Sequence, residues 1–357
     1  MTFGPESLRI QRDRMLTVRR IEDAAARQLI RGWARAWSQA SNDLQGALLD
    51  ASSRAAAGER LSWRQVNRIE RFQAAIARLA ANLDDLAATG RVEIVNAAEE
   101  AVRVSREMHP RLIASQLPNV GASTVELAAQ LSGRVQGEAY DAIIQRAQEN
   151  IVSRMQPLPA DTMAQVRRSL IQGITVGDNP RETARRMLAR VEGGFGGGLT
   201  RALRISRTES LDAFRSANAT IDRANPDIVT GWRWTSAIDE RTCEVCVSMH
   251  GRDFPTEEPG PEGHVNCRCD RVPITRSWRD LGFDVDEPPD IFPSRDDYWS
   301  RLPREAKLDK VGPSKLAALE DGRIGLDDLA VKRPNDGWRD SWKPRTLDEL
   351  GVEQVAA

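Results

Sequence analysis

The cysteines of this chain are concentrated in one short stretch. All four of them, in a protein of 357 residues, fall between positions 243 and 269. They form a C-x2-C pair and, after a loop, a second segment of the form H-x2-C-x-C. Two such segments commonly supply the thiolate and imidazole ligands of a tetrahedral zinc ion. The stretch therefore favours a small fold that brings both segments together around one metal.

The two segments offer more ligands than one zinc ion needs. The candidates are Cys243, Cys246, His264, Cys267 and Cys269. Because a tetrahedral site takes four ligands, one of the five is expected to be spare or to lie just outside the coordination shell. The preferred set contains Cys243, Cys246 and Cys269. Its fourth member is either Cys267 or His264, a choice that the spacing leaves open.

Other states of the cysteines also stay open at this point. They could be free thiols in a packed domain or, as a third choice, form a disulfide. His250 is a weaker ligand candidate than the five residues above. The histidines of the chain, His109, His250 and His264, include no HExxH motif, so a catalytic zinc site is not indicated. The pattern predicts a structural zinc ion and no catalytic residues.

The charge balance and the N-terminus limit the partners and the compartment. The 51 basic and 52 acidic residues give a formal net charge of -1, which provides no broad field for nucleic acid. No apolar run approaches the ~20 residues that span a bilayer. The first 20 residues lack the apolar core of a signal peptide. We therefore predict no membrane partner and assembly in a reducing cytoplasm, where clustered cysteines more often bind metal.

Residues 1–156 are predicted to form a helical N-terminal region. Apolar residues recur every three or four positions in two stripes, Ile21, Ala25, Leu29, Trp33, Trp37, Ala40, Leu44 and Leu48, then Ile69, Phe72, Ile76, Leu79, Leu83 and Leu86. Gly90 is expected to weaken or end the second helix, and further helical sequence covers 92–117 and 123–155. Such stripes are typical of helices that pack within one chain. An extended arm that docks on another subunit is the alternative.

Residues 157–275 are predicted to form a small α+β core domain that contains the cysteine cluster. Two prolines at 157 and 159 open it, and the run Asn179-Pro180-Arg181-Glu182 predicts a helix start. A helix over 199–224 and a strand beginning at Val229 follow. Residues 276–357, rich in proline, are predicted to be an extended C-terminal tail with two short helices, near 314–320 and 326–330, that wraps a neighbour more readily than it forms a core of its own. The fold class is thus α+β and mostly helical, with long N-terminal helices and a zinc-knuckle-like core.

A series of short motifs in this central region resembles one known protein family. The motifs are Arg207-Thr208-Glu209, Trp232, the run from Asp239 through Cys246, Gly251, and the run from Pro261 through Cys269. Each motif alone is weak, but their order is specific. Together they resemble the phage Mu F-like head morphogenesis family, the minor head proteins, over roughly residues 160 to 275. The first 155 residues carry no motif that extends the resemblance.

The resemblance implies a structural protein of a tailed bacteriophage or prophage. Its implied partners are the portal protein, the major capsid or scaffolding protein, and packaged DNA, with no small-molecule substrate. Its implied location is the virion, inside the head near the portal, after assembly in the bacterial cytoplasm. The resemblance implies no catalytic residues, so the protein is not expected to be an enzyme. In this family, Arg207 and Glu209 are candidates to tie their helix to the following strand and to the turn at Asp239–Arg241 through buried charge pairs; a solvated helix face is the alternative.

Two other function classes compete with this interpretation. Domains of this family are sometimes joined to toxin modules, so an ADP-ribosyltransferase-like enzyme is one alternative. However, Arg207-Thr208-Glu209 lacks the further glutamate spacing that such transferases use. A zinc-dependent nucleic-acid binder is the other alternative, and the near-neutral charge disfavours it.

Overall fold

The structure of the protein is a computed structural model, and it describes residues 3–56, 70–119, 121–155, 168, 198–264, 266–334 and 340–354. The predicted chain break at 157–159 and the predicted helix start at 179–182 lie outside these residues. Within them, long helices precede two small sheets. This confirms the predicted mostly helical α+β class.

The long helices come first along the described part of the chain. They are α1 (Pro5–Ala56), α2 (Glu70–Ala114), α3 (Thr124–Gly133), α4 (Gly137–Arg154) and α5 (Gly198–Ala224). The shorter ones that follow are α6 (Glu244–Met249), α7 (Arg295–Arg301), α8 (Arg304–Glu320) and α9 (Leu347–Leu350). Ser123 starts α3 with a capping box, since its hydroxyl accepts from the Glu126 amide. Within the described residues, no helix is both long and apolar enough to cross a membrane.

The strand predicted at Val229 is the centre of a three-stranded antiparallel sheet. Strand β1 (Val229–Thr235) lies between β2 (Asp253–Pro255) and β3 (Asp270–Thr275). Trp232 and Trp234 are two residues apart, so they leave β1 on the same face. Strands β4 (Ala330–Arg333) and β5 (Ser341–Pro344) form a separate antiparallel pair.

The chain divides into two compact units. The first unit contains residues 1–19, 99–145 and 211–357, and the second contains 20–98 and 146–210. The first unit holds both sheets and the cysteine cluster. The described part of the second unit consists of helical segments. The three consecutive segments expected from the sequence, 1–156, 157–275 and 276–357, remain a prediction.

Several described members of the predicted apolar stripes pack in the core of the second unit, whereas Ile69 and the side chains of Trp37 and Leu48 lie outside what the structure describes. Leu29 of α1 packs with Ile94 of α2, Ile151 of α4 and Ala202 of α5 in one buried cluster. Trp33 and Leu86, one from each predicted stripe, pack together in another. The stripes are therefore used for packing within the chain and not to build a free arm.

Two helix boundaries differ from those expected. Helix α2 does not end at Gly90 but continues to Ala114. A Cβ at Gly90 would lie 3.0 Å from the Met155 side chain and 3.3 Å from that of Leu29, so the glycine serves close packing. The helical sequence over 123–155 is interrupted after Gly133, which agrees with the low helix propensity of glycine.

The C-terminal segment forms a small core of its own. Val311, Leu316 and Leu329 are buried together, with Trp299 and Leu308 packed against them. Helices lie where the two short ones were predicted, within Arg304–Glu320 and at Leu326–Leu329, and the described part of the segment after Ser294 packs into a core. Helices α7 and α8 provide enough apolar surface to pack there. Helix α8 bends at Gly312, whose φ of 76° is a conformation that glycine adopts readily.

A buried network of charged side chains crosses the first unit. Its members lie far apart in the sequence: Arg14 on α1, His109 on α2, Asp222 on α5, and Asp270 and Arg271 on β3. Arg14 donates to Asp270, Arg271 Nε donates to Asp222 at 2.9 Å, and each of these side chains is at most 1% exposed. The two positive and two negative charges balance. Because Asp270 and Arg271 of β3 pair with side chains on two helices, the network anchors this strand, whose first residue follows Cys269.

His109 occupies the middle of this network as a neutral imidazole. Its Nδ1 accepts a hydrogen bond from Arg14, and its Nε2 donates to Asp222 at 2.7 Å. This arrangement uses one protonated ring nitrogen and leaves no place for a second proton. Burial lowers the pKa of His109, which keeps the ring neutral in the folded protein.

The depressed pKa of His109 predicts a loss of stability in mild acid. Below the unfolded-state pKa of about 6.5, the unfolded chain binds a proton at His109 that the folded chain does not bind. The contribution of neutral His109 to the free energy of unfolding is therefore complete above that pH. It decreases as the pH falls through that value, by up to about 1.4 kcal/mol per pH unit. Urea unfolding of wild type and His109→Gln between pH 7.5 and 5.5 should show a steeper decrease for wild type. Equal pH dependence of the two proteins would contradict the prediction.

Candidate metal centre

The first pair of cysteines is positioned by the start of helix α6. Cys243 is the N-cap residue, and its sulfur accepts a hydrogen bond from the Cys246 amide at 3.5 Å. A turn just before the helix sets its direction, because the Asp239 amide donates to the Thr242 hydroxyl at 2.9 Å. The C-x2-C spacing thus places both sulfurs at one end of a short helix.

The second segment is shaped by a tight turn. The Cys267 amide donates to the His264 carbonyl at 2.9 Å. Asn266 adopts a φ of 68°, a left-handed conformation that asparagine tolerates better than most residues. Gly263 is required for space, because a Cβ there would lie only 2.7 Å from the Cys267 sulfur. Cys269 then directly precedes β3.

The structure brings all five predicted ligands together in two overlapping groups. Cys243, Cys246 and His264 form one group, and Cys246, Cys267 and Cys269 form the other, with ligand atoms within 4.8 Å of one another in each group. Cys246 is common to both. Its sulfur lies 3.9 Å from that of Cys267, 3.1 Å from that of Cys269 and 3.7 Å from His264 Nε2. These side chains can hold a metal ion at a shared centre.

Hydrogen bonding within the cluster favours thiolates at two positions. Contacts with the Cys246 thiol first, and with His264, lower the pKa of Cys243 to about 4. Contacts with the Cys246 and Cys269 thiols lower the pKa of Cys267 well below the usual range of a cysteine. Metal ligation requires the deprotonated thiolate. The electrostatics of the cluster therefore suit a cation.

Aromatic rings form the wall behind the cysteines. Trp232, Trp234 and Phe254 pack with Cys246 and Cys269 in one buried cluster. The Trp232 and Phe254 rings stack with centroids 4.6 Å apart. These rings exclude water from one side of the sulfurs, which strengthens electrostatic interactions there.

Two arginines fix the second cysteine segment by hydrogen bonds. Arg215 of α5 donates to the carbonyl of Cys267 at 2.7 Å and to that of Cys269 at 2.8 Å. Arg268 forms a two-pronged ion pair with Asp239, at 2.7 and 2.9 Å, and so joins the two cysteine segments. The sequence analysis missed Arg215, because nothing in its local sequence marks it. Groups that orient metal ligands in this way commonly affect metal affinity.

The C-terminal segment packs on the first cysteine segment. Lys310 Nζ donates to the carbonyls of Glu240 at 3.0 Å and Thr242 at 2.8 Å. Lys315 forms an ion pair with Glu244 at 2.9 Å, and both side chains are only 10% exposed. The residues after 275 therefore help to build the candidate metal centre.

Substitution of Gly263 tests how closely the second segment must approach Cys267. Gly263→Ala is expected to displace the Cys267 sulfur and to weaken metal binding at least about tenfold, the scale of effect seen when support of a metal ligand is lost. Competition with a coloured zinc chelator measures the affinity. The matched control is Gly133→Ala, since a Cβ there would meet nothing within 4 Å. Equal affinities of the two variants would show that the close approach is unimportant.

Two predictions about neighbouring residues need correction. His250 is not part of either ligand group, because its Nδ1 accepts from the Ser236 amide at 2.9 Å and its Nε2 donates to the Pro293 carbonyl at 2.8 Å. Glu209 forms its ion pair with Arg154 of α4. The polar run on α5 thus serves helix packing, while the turn at Asp239 is held by Arg268.

Comparison with known families agrees with the motifs in this region. Residues 164–272, which include the whole cysteine cluster, match the family described as Phage Mu protein F like protein. No curated protein and no solved structure matches the chain. The match confirms the resemblance that the ordered motifs indicate and supports a general role in phage head morphogenesis. Residues 164–272 of the chain are therefore similar to the phage Mu F-like family.

Proposed function

We propose that this protein is a minor structural component of a tailed-phage head. It binds the portal protein and the inner surface of the capsid, through the major capsid or scaffolding protein, while the head assembles. The observation that carries this proposal is the family match over residues 164–272. In the mature virion the protein lies inside the head near the portal, where it aids packaging or ejection of DNA.

The cysteine cluster in this domain fits a structural zinc ion. Zinc–sulfur bonds of about 2.3 Å in a tetrahedron place two ligating sulfurs about 3.8 Å apart. The Cys246–Cys267 separation of 3.9 Å meets this requirement. The Cys246–Cys269 separation of 3.1 Å is shorter, so Cys269 would have to move outward by about 0.7 Å to ligate. The candidate donors that the structure describes are mostly thiolates, and such a donor set is typical of a structural zinc site.

The residues of the cluster then have a mechanical role. Cys243 and Cys246 hold the start of α6, while His264, Cys267 and Cys269 hold the loop that leads into β3. A zinc ion at the shared centre would link these segments and supply folding free energy. Arg215 and the Arg268–Asp239 pair keep the loop in position. This arrangement gives the domain a rigid surface that contacts neighbouring head proteins during assembly.

Binding to the neighbouring virion proteins tests the proposal. The purified chain should bind the portal protein or the major capsid protein encoded beside it, measured by pull-down and by surface plasmon resonance. A portal protein from an unrelated phage is the matched control and should not bind. The protein should also be found in purified particles by mass spectrometry. Particles that lack it, together with normal capsid assembly after deletion of its gene, would refute the proposal.

A further inference from the structure

A cavity in the first unit has no cysteine among its lining residues. It has a volume of about 480 Å³ and lies between the beginning of α1 and the loop after β1. Its apolar lining includes Leu8, Met15, Leu16, Ile238 and Pro293. Leu8 and Leu16 are each 37% exposed. We call this space the α1 cavity.

Positive charge faces the α1 cavity from helix α1. Arg12 and Arg19 are seven residues apart, so they lie on the same side of the helix, and both line the cavity. Within the described residues neither forms an ion pair, and the buried Nε of Arg19 has no hydrogen-bond acceptor. A buried donor without an acceptor costs about 1–3 kcal/mol. An incoming carboxylate would remove that cost.

The other polar groups around the cavity already have partners. Asp270 is paired with Arg14, and Arg268 is paired with Asp239. Both ring nitrogens of His250 are engaged, with the Ser236 amide and the Pro293 carbonyl. The free charge that lines the α1 cavity is therefore positive.

A second concave surface continues from the first. It has a volume of about 530 Å³ and shares Ile238 and Pro293 with the α1 cavity. Its further lining includes Ile291, Phe292, Tyr298 and Leu302. The two spaces together form what we call the α1 groove. A groove with two adjacent apolar subsites suits an extended polypeptide segment better than one small molecule.

The backbone between the two subsites is strained. Ile238 has a φ of 48°, which is a genuine outlier for a β-branched residue. Such conformations cost about 1–3 kcal/mol and cluster at ligand-binding positions. The loop is held open by its neighbours, since the Ser236 amide donates to His250 and His250 donates to the Pro293 carbonyl. The groove is therefore preformed.

We propose that the α1 groove binds a segment of the portal or capsid protein that carries carboxylates beside apolar side chains. The carboxylates pair with Arg12 and Arg19, and the apolar side chains fill the subsites beside Leu16 and Ile238. DNA is less well matched, because phosphate backbones favour open basic surfaces and gain nothing from an apolar floor. This inference rests on the proposed function and adds the docking surface and the chemistry of the partner.

Charge reversal in the groove tests the proposal. Arg12 is exposed, so Arg12→Glu should fold normally, as circular dichroism and thermal unfolding can verify. We expect it to weaken binding to the purified portal or capsid protein at least fivefold, and the double variant Arg12→Glu/Arg19→Met at least tenfold. Arg20→Glu is the matched control, because Arg20 is exposed on the same helix but does not line the groove, and it should change binding less than twofold.

A second pair of variants tests the apolar part of the groove. Leu16→Ser should weaken binding severalfold, whereas Ile30→Ser should not, although Ile30 is also an exposed apolar residue of α1, at 45%. Overlapping 15-residue peptides of the portal and capsid proteins can compete for the site. The competing peptide should contain Asp or Glu beside apolar residues, and replacing those acids with Lys should abolish competition.

The remaining outcomes would overturn the inference, and they distinguish a failure of the groove proposal from a failure of the proposed function. If wild type binds a head protein and Arg12→Glu/Arg19→Met binds it equally well, the groove is not the docking site while the proposed function stands. If wild type binds neither the portal nor the capsid protein, both proposals fail. Binding to a DNA duplex that only the double variant loses would assign the groove to nucleic acid. A dimer that only the double variant loses in sedimentation would assign it to a second copy of the chain.

Discussion

Replacement of Cys246 with serine is expected to release the zinc ion and to loosen the fold around it. Cys246 belongs to both ligand groups, so its loss separates the remaining donors into the pairs Cys243–His264 and Cys267–Cys269. Structural zinc contributes about 10–16 kcal/mol to the folding of small zinc domains, which is comparable to the whole stability of a typical domain. Wild type should contain about one zinc ion per chain, and Cys246→Ser almost none, by elemental analysis of protein prepared without chelators.

Single substitutions of the remaining donors should identify the spare one. Of Cys267→Ser and His264→Ala, one should retain zinc while the other loses it. His250→Gln is the matched control, because it removes a buried histidine that lies outside both ligand groups. It should retain zinc even if its melting temperature decreases. Wild-type protein without zinc would contradict the metal assignment, as would zinc that remains bound in Cys246→Ser.

Local sequence patterns indicated the long helices of the described residues and the five donors that lie together, while their role as metal ligands stays a prediction. Leu29 and Trp33 recur at helical spacing, and this spacing alone places them on one buried face. Likewise the two cysteine segments carry their own turn signals, with Cys243 as a helix cap and Asn266 in a left-handed turn. When the metal-ligand candidates and the turns that position them lie within a few residues of one another, the local sequence is enough to indicate the site.

Contacts between distant segments were not predictable in the same way. Arg14 and Asp222 are charged residues within long helices, and nothing in the neighbouring sequence shows that the fold buries both. The C-terminal segment gave a similar result: its prolines favour extended structure, yet Lys315 pairs with Glu244 beside the cysteines. Gly90 also read as a helix end, whereas the need for space against Met155 appears only once the helices are packed.

Substitution of Asp222 should destabilise the protein strongly although it touches no candidate metal ligand. Asp222→Ala leaves Arg271 without its carboxylate partner and removes the acceptor of His109, and all three side chains are fully buried. Breaking a buried ion pair from one side costs about 3–5 kcal/mol, because a charge stays buried without compensation. Urea unfolding followed by tryptophan fluorescence measures this loss, since Trp232 and Trp234 are each 1% exposed.

Asp227→Ala is the matched control for this experiment. Asp227 is also an aspartate paired with an arginine, Arg134, but the two side chains are 58% and 42% exposed. An exposed pair contributes about 0–1 kcal/mol, so the control should remain close to wild type. The double substitution Asp222→Leu/Arg271→Met should cost less than Asp222→Ala, because it removes both charges and leaves neither one buried alone. Equal stabilities of Asp222→Ala and Asp227→Ala would mean that the buried network does not hold β3 in place.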